Sequence, residues 1–243
     1  MQSKFTLELL QAVSDWQRGG SLEQSLRRGQ KLKQVSSLLP AEYRACDLVC
    51  YRQVALPKDG VWSLIGDEHL PEKISSWTLD IEVAKSFKGG VPPDGQGFQG
   101  TILFLLPQAS CVIVNLRELY KDAVFCDALE QNKSRINGYY EGAGRYENSQ
   151  SEVVLEIDKV APGDVYSLGG HSSPLDALVA QAADLVYGRP STYEEREALL
   201  LKAQDAGVEG GARWLTIEAT KRVLEKTKPQ AAELKRLQEI PRS

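Results

Sequence analysis

The sequence predicts a mixed α+β protein with a strand-rich middle and helices on either side of it. Near the start, residues 5–18 repeat apolar side chains at helical spacing. Between residues 48 and 168, short apolar runs alternate with polar and glycine-rich segments, a pattern typical of strands joined by loops. After Gly169-Gly170 the composition shifts to Ala, Leu, Glu, Lys and Gln, residues that favour helices. We therefore expect a mixed domain over residues 1–170 and a helical extension over residues 171–243.

Two helices are expected before residue 40. The first ends at Gly19-Gly20, and Ser21 with Gln24 has the pattern of a capping box that begins the second helix. This second helix is expected to stop before Pro40. Its basic face consists of Arg27, Arg28, Lys31 and Lys33. Such a face is most often simply solvated, so we attach no function to it.

Six strands are expected in the middle of the chain, each an apolar run bounded by turn residues. They cover residues 48–56, 73–77, 101–106, 111–114, 153–157 and 164–168. Helices are expected over residues 80–87, 116–129, 174–187, 191–205, 213–227 and 229–239. The polar segment 132–150, which contains three tyrosines, is expected to be irregular. Long irregular segments inside compact domains often have a function.

Composition argues against several classes of protein. The 243 residues have a net charge of -4 and a pI of about 5.4, so the chain has no overall basic character for binding nucleic acid. The N-terminal residues lack the long uncharged core of a signal peptide, and no transmembrane segment is expected. Four cysteines without a CxxC pair, together with two histidines, predict free thiols and no metal site. A cytoplasmic protein that does not contact membranes is expected.

Three short stretches carry the candidate functional residues. They are Tyr51-Arg52 in the first expected strand, Ser76-Trp77-Thr78 at the end of the second, and Gln150-Ser151-Glu152 where a polar loop enters the fifth. Each stretch has an ordinary explanation when taken alone. A single arginine most often forms a surface ion pair, a single serine caps a turn, and a single glutamate lies on an exposed strand face.

Taken together and in this order, the three stretches resemble the motifs of the Arg-Ser-Glu class of mono-ADP-ribosyltransferases. That family has an aromatic-Arg strand, a Ser-Thr-Ser strand that leads into a helix, and a Glu/Gln-x-Glu motif at the end of a recognition loop. Two departures occur. Trp77 and Thr78 replace the second and third residues of the serine motif, and Gln150 makes the last motif QxE instead of ExE. The resemblance covers the chain from Asp47 to Leu168.

This resemblance implies an ADP-ribosyltransferase-like split β-sandwich core and an enzyme that uses NAD as its substrate, without a metal. The family reaction breaks the bond between nicotinamide and ribose and passes ADP-ribose to a nucleophile, through a transition state that resembles an oxocarbenium ion. Glu152 would stabilise that state, and Ser76 would hold Glu152 or the ribose in register. Arg52 would grip the NAD phosphates, because guanidinium is a planar group of donors that stays charged.

The resemblance also implies roles for four further residues. Tyr51 is the aromatic residue before the arginine, Thr78 supplies a hydroxyl where the family has a serine, and Phe98 is a candidate to stack on nicotinamide. Gln150 cannot act as a general base, although it can donate and accept hydrogen bonds. The expected acceptor is therefore a protein side chain other than arginine, or a nucleobase of RNA or DNA.

Two hypotheses for the whole protein follow. The first is an intracellular ADP-ribosyltransferase that serves as a toxin of a toxin–antitoxin system, in phage defence or as a phage effector. A neutralising antitoxin or inhibitor protein is the expected partner, with the C-terminal helices as its docking surface. The second hypothesis, motivated by the imperfect serine motif, is a catalytically inactive binding module with the same fold. Slow hydrolysis of NAD by the purified protein distinguishes the two, because an inactive module would not catalyse it.

Overall fold

The computed structural model describes residues 4–66, 69–87, 99–171, 175–205 and 214–238. Helices and antiparallel strands are both present, which confirms the predicted α+β class, whereas the split β-sandwich stays a prediction. The helices are α1 (Leu7–Gln17), α2 (Leu22–Ser36), α3 (Lys58–Ile65), α4 (Ile81–Ser86), α5 (Leu116–Lys121), α6 (Ala123–Asn132), α7 (Ala143–Tyr146), α8 (Leu175–Tyr187), α9 (Tyr193–Asp205) and α10 (Ile217–Gln238). The strands are β1 (Cys50–Leu56), β2 (Leu70–Pro71), β3 (Ile74–Thr78), β4 (Gln99–Leu105), β5 (Val112–Asn115), β6 (Glu152–Glu156), β7 (Lys159–Val160) and β8 (Val165–His171). None of the described helices is both long and apolar enough to cross a membrane.

Two compact units share the chain. The first contains Met1–Arg52, Leu70–Ala84 and Phe104–Val160, and the second contains Gln53–His69, Lys85–Leu103 and Ala161–Ser243. The C-terminal helices therefore belong to the same unit as two segments from the first half of the chain. The predicted catalytic domain over residues 1–170 and the extension over residues 171–243 stay predictions.

In the first unit, α1 and α2 begin where the sequence provides caps. Thr6 Oγ1 accepts a hydrogen bond from the Leu9 amide, and Ser21 forms the predicted capping box with Gln24. Apolar residues of α1 then enter a core that also contains Phe125 of α6 and Val114 of β5. This core buries one face of α1 and holds the helix against the sheet.

The sheet of the first unit has the strand order β5, β6, β3, β1, with antiparallel neighbours. Ser76 of β3 lies opposite Val154 of β6, and Thr78 lies opposite Glu152. Because side chains alternate between the faces of a strand, Ser76, Thr78 and Glu152 share one face of the sheet. Helix α2 approaches that face closely at Gly29, where a Cβ would lie 2.8 Å from the side chain of Ile74.

In the second unit, β4 pairs antiparallel with β8, and the chain from Trp214 into α10 makes polar contacts with β8. Thr220 Oγ1 accepts a hydrogen bond from the amide of Leu168 at 3.2 Å. Trp214, which forms an isolated bridge to Gly169, donates its indole N–H to Lys85 O at 3.1 Å. These contacts attach the C-terminal chain to the edge strand β8.

All six predicted strands are present, as β1, β3, β4, β5, β6 and β8, but the predictions for three helices are wrong. The helix expected over residues 116–129 is interrupted at Asp122, whose carboxylate caps α6 by accepting from the Val124 amide at 2.8 Å. The two helices expected over residues 213–227 and 229–239 form one helix, α10, which contains Pro229. Proline usually interrupts a helix because it lacks an N–H and clashes with the preceding turn, yet α10 continues through it.

Short helices also form where the sequence predicted turns or loops. Helix α3 begins directly after Pro57, whose carbonyl accepts from the Val61 amide at 3.0 Å, although this stretch was expected to be a turn. The segment expected to be irregular contains the short helix α7 and a 3-10 helix over Tyr139–Glu141. Short helical turns of this kind are hard to predict because they depend on tertiary contacts.

Gly142→Ala is expected to destabilise the protein by about 1–3 kcal/mol, the usual cost of overpacking. A Cβ at Gly142 would lie 2.1 Å from the main-chain oxygen of Ser14 in α1. Gly163→Ala is the matched control, because a Cβ there has no neighbour within 4 Å, and a change within about 0.5 kcal/mol is expected. Urea unfolding measures both. Equal stability of the two variants would contradict the close packing of α1 on the segment that leads to β6.

Candidate functional site

Glu152 is the first residue of β6, and the backbone before it is strained. Ser151 has a φ of 43°, in the left-handed region that residues other than glycine rarely adopt. The Ser151 carbonyl accepts from the Leu79 amide at 3.1 Å, and its amide donates to Asn148 O at 3.2 Å. These hydrogen bonds hold the turn in place, and strained backbone that is held in this way often accompanies a functional site.

Two side chains donate hydrogen bonds to the Glu152 carboxyl group. Its Oε1 accepts from Ser76 Oγ at 2.5 Å and from Trp16 Nε1 at 2.7 Å. The Gln17 side chain lies close to the same carboxyl group. Glu152 is 5% exposed, so these donors replace most of its contact with water. Residues Trp16 and Gln17 both come from the end of α1.

Burial raises the pKa of the Glu152 carboxyl above its ordinary value. The hydrogen bonds from Ser76 and Trp16 act in the opposite direction, and so do the nearby Gln17 side chain and the positive charge of Arg52. Burial also raises the pKa of nearby Tyr120, and the negative charge of Glu152 raises it further. The site therefore contains a carboxyl group that takes up a proton more readily than a glutamate in water.

Arg52 is joined to Ser76 through the main chain. Its Nη1 donates to Ser76 O at 2.9 Å, and its Nε lies 3.3 Å from Oε2 of Glu72. That ion pair lacks hydrogen-bond geometry, so the buried Nε has no hydrogen-bond partner among the described residues. The Arg52 side chain is 28% exposed. A phosphate bound by Arg52 would compete with Glu72 for the guanidinium.

The structure brings together three residues predicted as functional, Arg52, Ser76 and Glu152, through these two hydrogen bonds. The Thr78 hydroxyl makes two hydrogen bonds to the main chain, and its predicted contact with the cofactor stays a prediction. Its Oγ1 donates to Gln150 O at 2.7 Å and accepts from the Asp80 amide at 3.0 Å, so the hydroxyl links the end of β3 to the loop before β6.

Two further predicted residues, Tyr51 and Gln150, lie next to Thr78. Tyr51 is opposite Thr78 in the β1–β3 register, and Gln150 is half-buried two residues before Glu152. Phe98 lies outside the described residues. Tyr51 also lines a surface groove of about 360 Å³. The groove is lined by Leu48, Tyr51, Leu79, Asp80, Ile81, Arg117 and Ser151. Its volume lies in the range of small-ligand sites, and it has cationic, anionic and aromatic walls.

Sequence reasoning did not identify Trp16, Gln17 or Glu72. Trp16 occupies an apolar position of an amphipathic helix, where a tryptophan is expected to pack in the hydrophobic core. The available signal was its indole N–H, since a buried tryptophan usually donates to some acceptor. Identifying Glu152 as that acceptor requires the packing of α1 on the sheet, because the two residues are 136 positions apart.

No protein-family model, curated protein or solved structure significantly matches the chain. No group of three or more His, Cys, Asp and Glu residues within the described ranges could hold a metal ion. What the fold and the site define is an α+β protein in which a buried, hydrogen-bonded carboxyl group lies next to a serine and an arginine.

The raised pKa of Glu152 predicts that stability depends on pH. The folded protein binds this proton more tightly than the unfolded chain, in which the pKa is about 4.5. The resulting stabilisation is complete below that value and is lost as the pH rises through the folded-state pKa. Glu152→Gln cannot ionise. The free energy of unfolding of the wild type, relative to Glu152→Gln, is therefore expected to fall as the pH rises above about 4.5. Urea unfolding across this range measures it, and a constant or rising difference would contradict the assignment.

Proposed function

We propose that the protein is an NAD-dependent mono-ADP-ribosyltransferase that moves ADP-ribose from NAD to a macromolecular acceptor. The observation that carries the proposal is the 2.5 Å hydrogen bond from Ser76 Oγ to Glu152 Oε1, next to the bond from Arg52 Nη1 to Ser76 O. These residues come from three separate stretches that resemble the family's motifs. Their contact is therefore a second, independent reason to treat them as one site.

In the proposed reaction, the ionised carboxylate of Glu152 stabilises positive charge on the ribose. The bond between ribose and nicotinamide breaks, and its electron pair leaves with the nicotinamide, which becomes neutral. The acceptor then attacks the ribose carbon and loses a proton. A fixed carboxylate close to the ribose favours this transition state over the ground state, because the ribose is more positive in the transition state. The hydroxyl of Ser76 orients that carboxylate.

The substrate would reach Glu152 by replacing part of its present hydrogen bonding. Trp16 Nε1 donates to the same oxygen as Ser76, and a ribose hydroxyl is also a donor. We therefore propose that a ribose hydroxyl takes the place of the Trp16 indole N–H when NAD binds. The positive charge on the nicotinamide ring of NAD, brought close to the carboxyl group, would lower its pKa and favour the ionised form.

Glu152→Gln is expected to reduce the release of nicotinamide from NAD by about 100-fold or more, because an amide carries no negative charge to stabilise the transition state. Glu156→Gln is the matched control. Glu156 lies on the same strand and the same face, but it pairs with Lys33 at 2.5 Å instead of with Ser76. Circular dichroism should show that both variants keep the fold. Equal rates for Glu152→Gln and the wild type would contradict the proposal.

Glu72→Gln is expected to tighten NAD binding about two- to fivefold, because the NAD phosphates would no longer compete with a carboxylate for Arg52. This range corresponds to the roughly 0.4–1 kcal/mol of a partly exposed ion pair. Glu130→Gln, which disrupts the exposed pair with Lys133, is the control and should leave affinity unchanged. Isothermal titration calorimetry provides the dissociation constants. Unchanged or weaker binding in Glu72→Gln would show that Arg52 does not contact the phosphates.

The acceptor class requires a separate experiment. Wild-type and Glu152→Gln protein are incubated in a cell lysate with NAD labelled on its adenylate side, and the product is treated with protease or with nuclease. Release of label by one of these treatments identifies the acceptor as protein or nucleic acid. The expected setting, an intracellular toxin, a phage-defence protein or a phage effector with a neutralising partner, stays a prediction.

The second candidate is a catalytically inactive binding module, and the burial of Glu152 favours it. Glu152 is 5% exposed and accepts a hydrogen bond from Trp16, and Arg52 is already paired with Glu72. An inactive module would bind NAD or a related ligand without releasing nicotinamide. Measurable NAD binding with equally absent turnover in the wild type and Glu152→Gln would favour this candidate.

A further inference from the structure

Two cysteine thiols are in contact at the start of β1. The sulfurs of Cys46 and Cys50 are 3.7 Å apart, and the carbonyl oxygen of Leu48, in the turn between them, lies 3.4 Å from the first and 3.7 Å from the second. A disulfide requires a sulfur–sulfur distance of about 2 Å. The turn therefore holds the two thiols close enough for a small movement to join them.

The two thiols differ in exposure and in acidity. The hydrogen bond from Cys50 lowers the pKa of the Cys46 thiol to about 7, and the positive charge of Arg117 acts in the same direction, whereas burial and Asp47 oppose it. The same hydrogen bond and burial raise the pKa of Cys50. Cys46 is half-buried and Cys50 is fully buried. Cys46 is thus the accessible thiolate, and Cys50 is the protonated thiol beside it.

Cys126 provides an internal comparison. Its thiol is also free and half-buried, but it donates to the carbonyl of Tyr120 at 3.3 Å. Burial and the charge of Asp127 raise its pKa. The free thiols of this chain are therefore not equivalent, and the Cys46–Cys50 pair has the features of a reactive thiol with a second thiol placed to resolve it.

We propose that Cys46 and Cys50 form a redox-active pair that hydroperoxides convert into an intramolecular disulfide. The Cys46 thiolate attacks one oxygen of the peroxide, an S–O bond forms, the O–O bond breaks, and the leaving oxygen takes a proton to give water or an alcohol. Cys46 is then a sulfenic acid. The sulfur of Cys50 attacks the sulfur of Cys46, the S–O bond breaks, and the oxygen leaves as water with the Cys50 proton. The two thiols lose two electrons, and the peroxide gains them.

The disulfide would alter the groove next to the candidate site. Leu48 lies between the two cysteines and lines the groove, and Tyr51 follows Cys50 directly and also lines it. Joining the sulfurs shortens the turn that carries Leu48 and constrains the start of β1, which continues into Arg52. The oxidation state of the pair is thereby linked to the shape of the groove. The thiol chemistry itself does not depend on the proposed transferase activity.

Peptide mapping tests the proposal on the intact protein. The reduced protein is treated with hydrogen peroxide, denatured, alkylated and digested with trypsin, which releases Ala45–Arg52 with both cysteines in one peptide. We expect this peptide to be two hydrogens lighter and free of alkyl groups, and to return to the doubly alkylated form after treatment with dithiothreitol. At pH 7 its thiols should be lost about tenfold faster than that of Cys126, because more of Cys46 is thiolate.

Cys50→Ser adds a matched arm, because it removes the resolving thiol and keeps Cys46. In this variant, dimedone should trap a sulfenic acid on Cys46, and no disulfide should form. The rate measurement on the wild type needs no variant, so a loss of folding in Cys50→Ser would not affect it. The proposal is overturned if the wild-type peptide stays doubly alkylated, if its thiols are lost no faster than that of Cys126, or if the disulfides that form join separate molecules.

Discussion

A buried carboxyl group must find donors inside the protein, and this requirement organises the first unit. Glu152 has lost most of its contact with water, and an unsatisfied buried acceptor would cost about 1–3 kcal/mol, more if it were charged. Ser76 on β3 and Trp16 on α1 provide the donors at 2.5 and 2.7 Å. Each donor comes from an element whose own position depends on the apolar core. The core therefore positions the polar cluster, and the cluster in turn selects one register of β3 against β6.

Helix α1 is part of the candidate site as well as part of the core. Its buried residues Leu9, Leu10 and Val13 pack in the same cluster as Phe125 of α6, and its last turn delivers Trp16 and Gln17 to Glu152. A helix with both roles couples the stability of the unit to the protonation of one carboxyl group. For the proposed transferase, the same helix would control how the substrate reaches Glu152.

The strands were predictable from the sequence because each is a short apolar run bounded by turn residues, and the capping box of α2 was predictable because it is local. The helix break at Asp122 was missed because helical spacing alone does not show where a carboxylate will cap a new helix. Two helices were expected, over residues 213–227 and 229–239, whereas α10 continues through Pro229. Proximity of Arg52, Ser76 and Glu152 was expected from the family resemblance. The contacts of Trp16 and Glu72 were not, because they join distant positions through tertiary packing that leaves no local pattern.

The most direct test of the account is to measure the Glu152 carboxyl group itself. Carbon-13 NMR of protein labelled at the glutamate side-chain carboxyl carbon, assigned with Glu152→Gln, would follow this resonance through a pH titration with and without NAD. We expect the Glu152 carboxyl to have a pKa above the ordinary glutamate value of 4.5 in the free protein. We also expect its resonance to change clearly when NAD binds. An ordinary pKa together with no response to NAD would contradict both the buried, hydrogen-bonded carboxyl group and its role in binding the substrate.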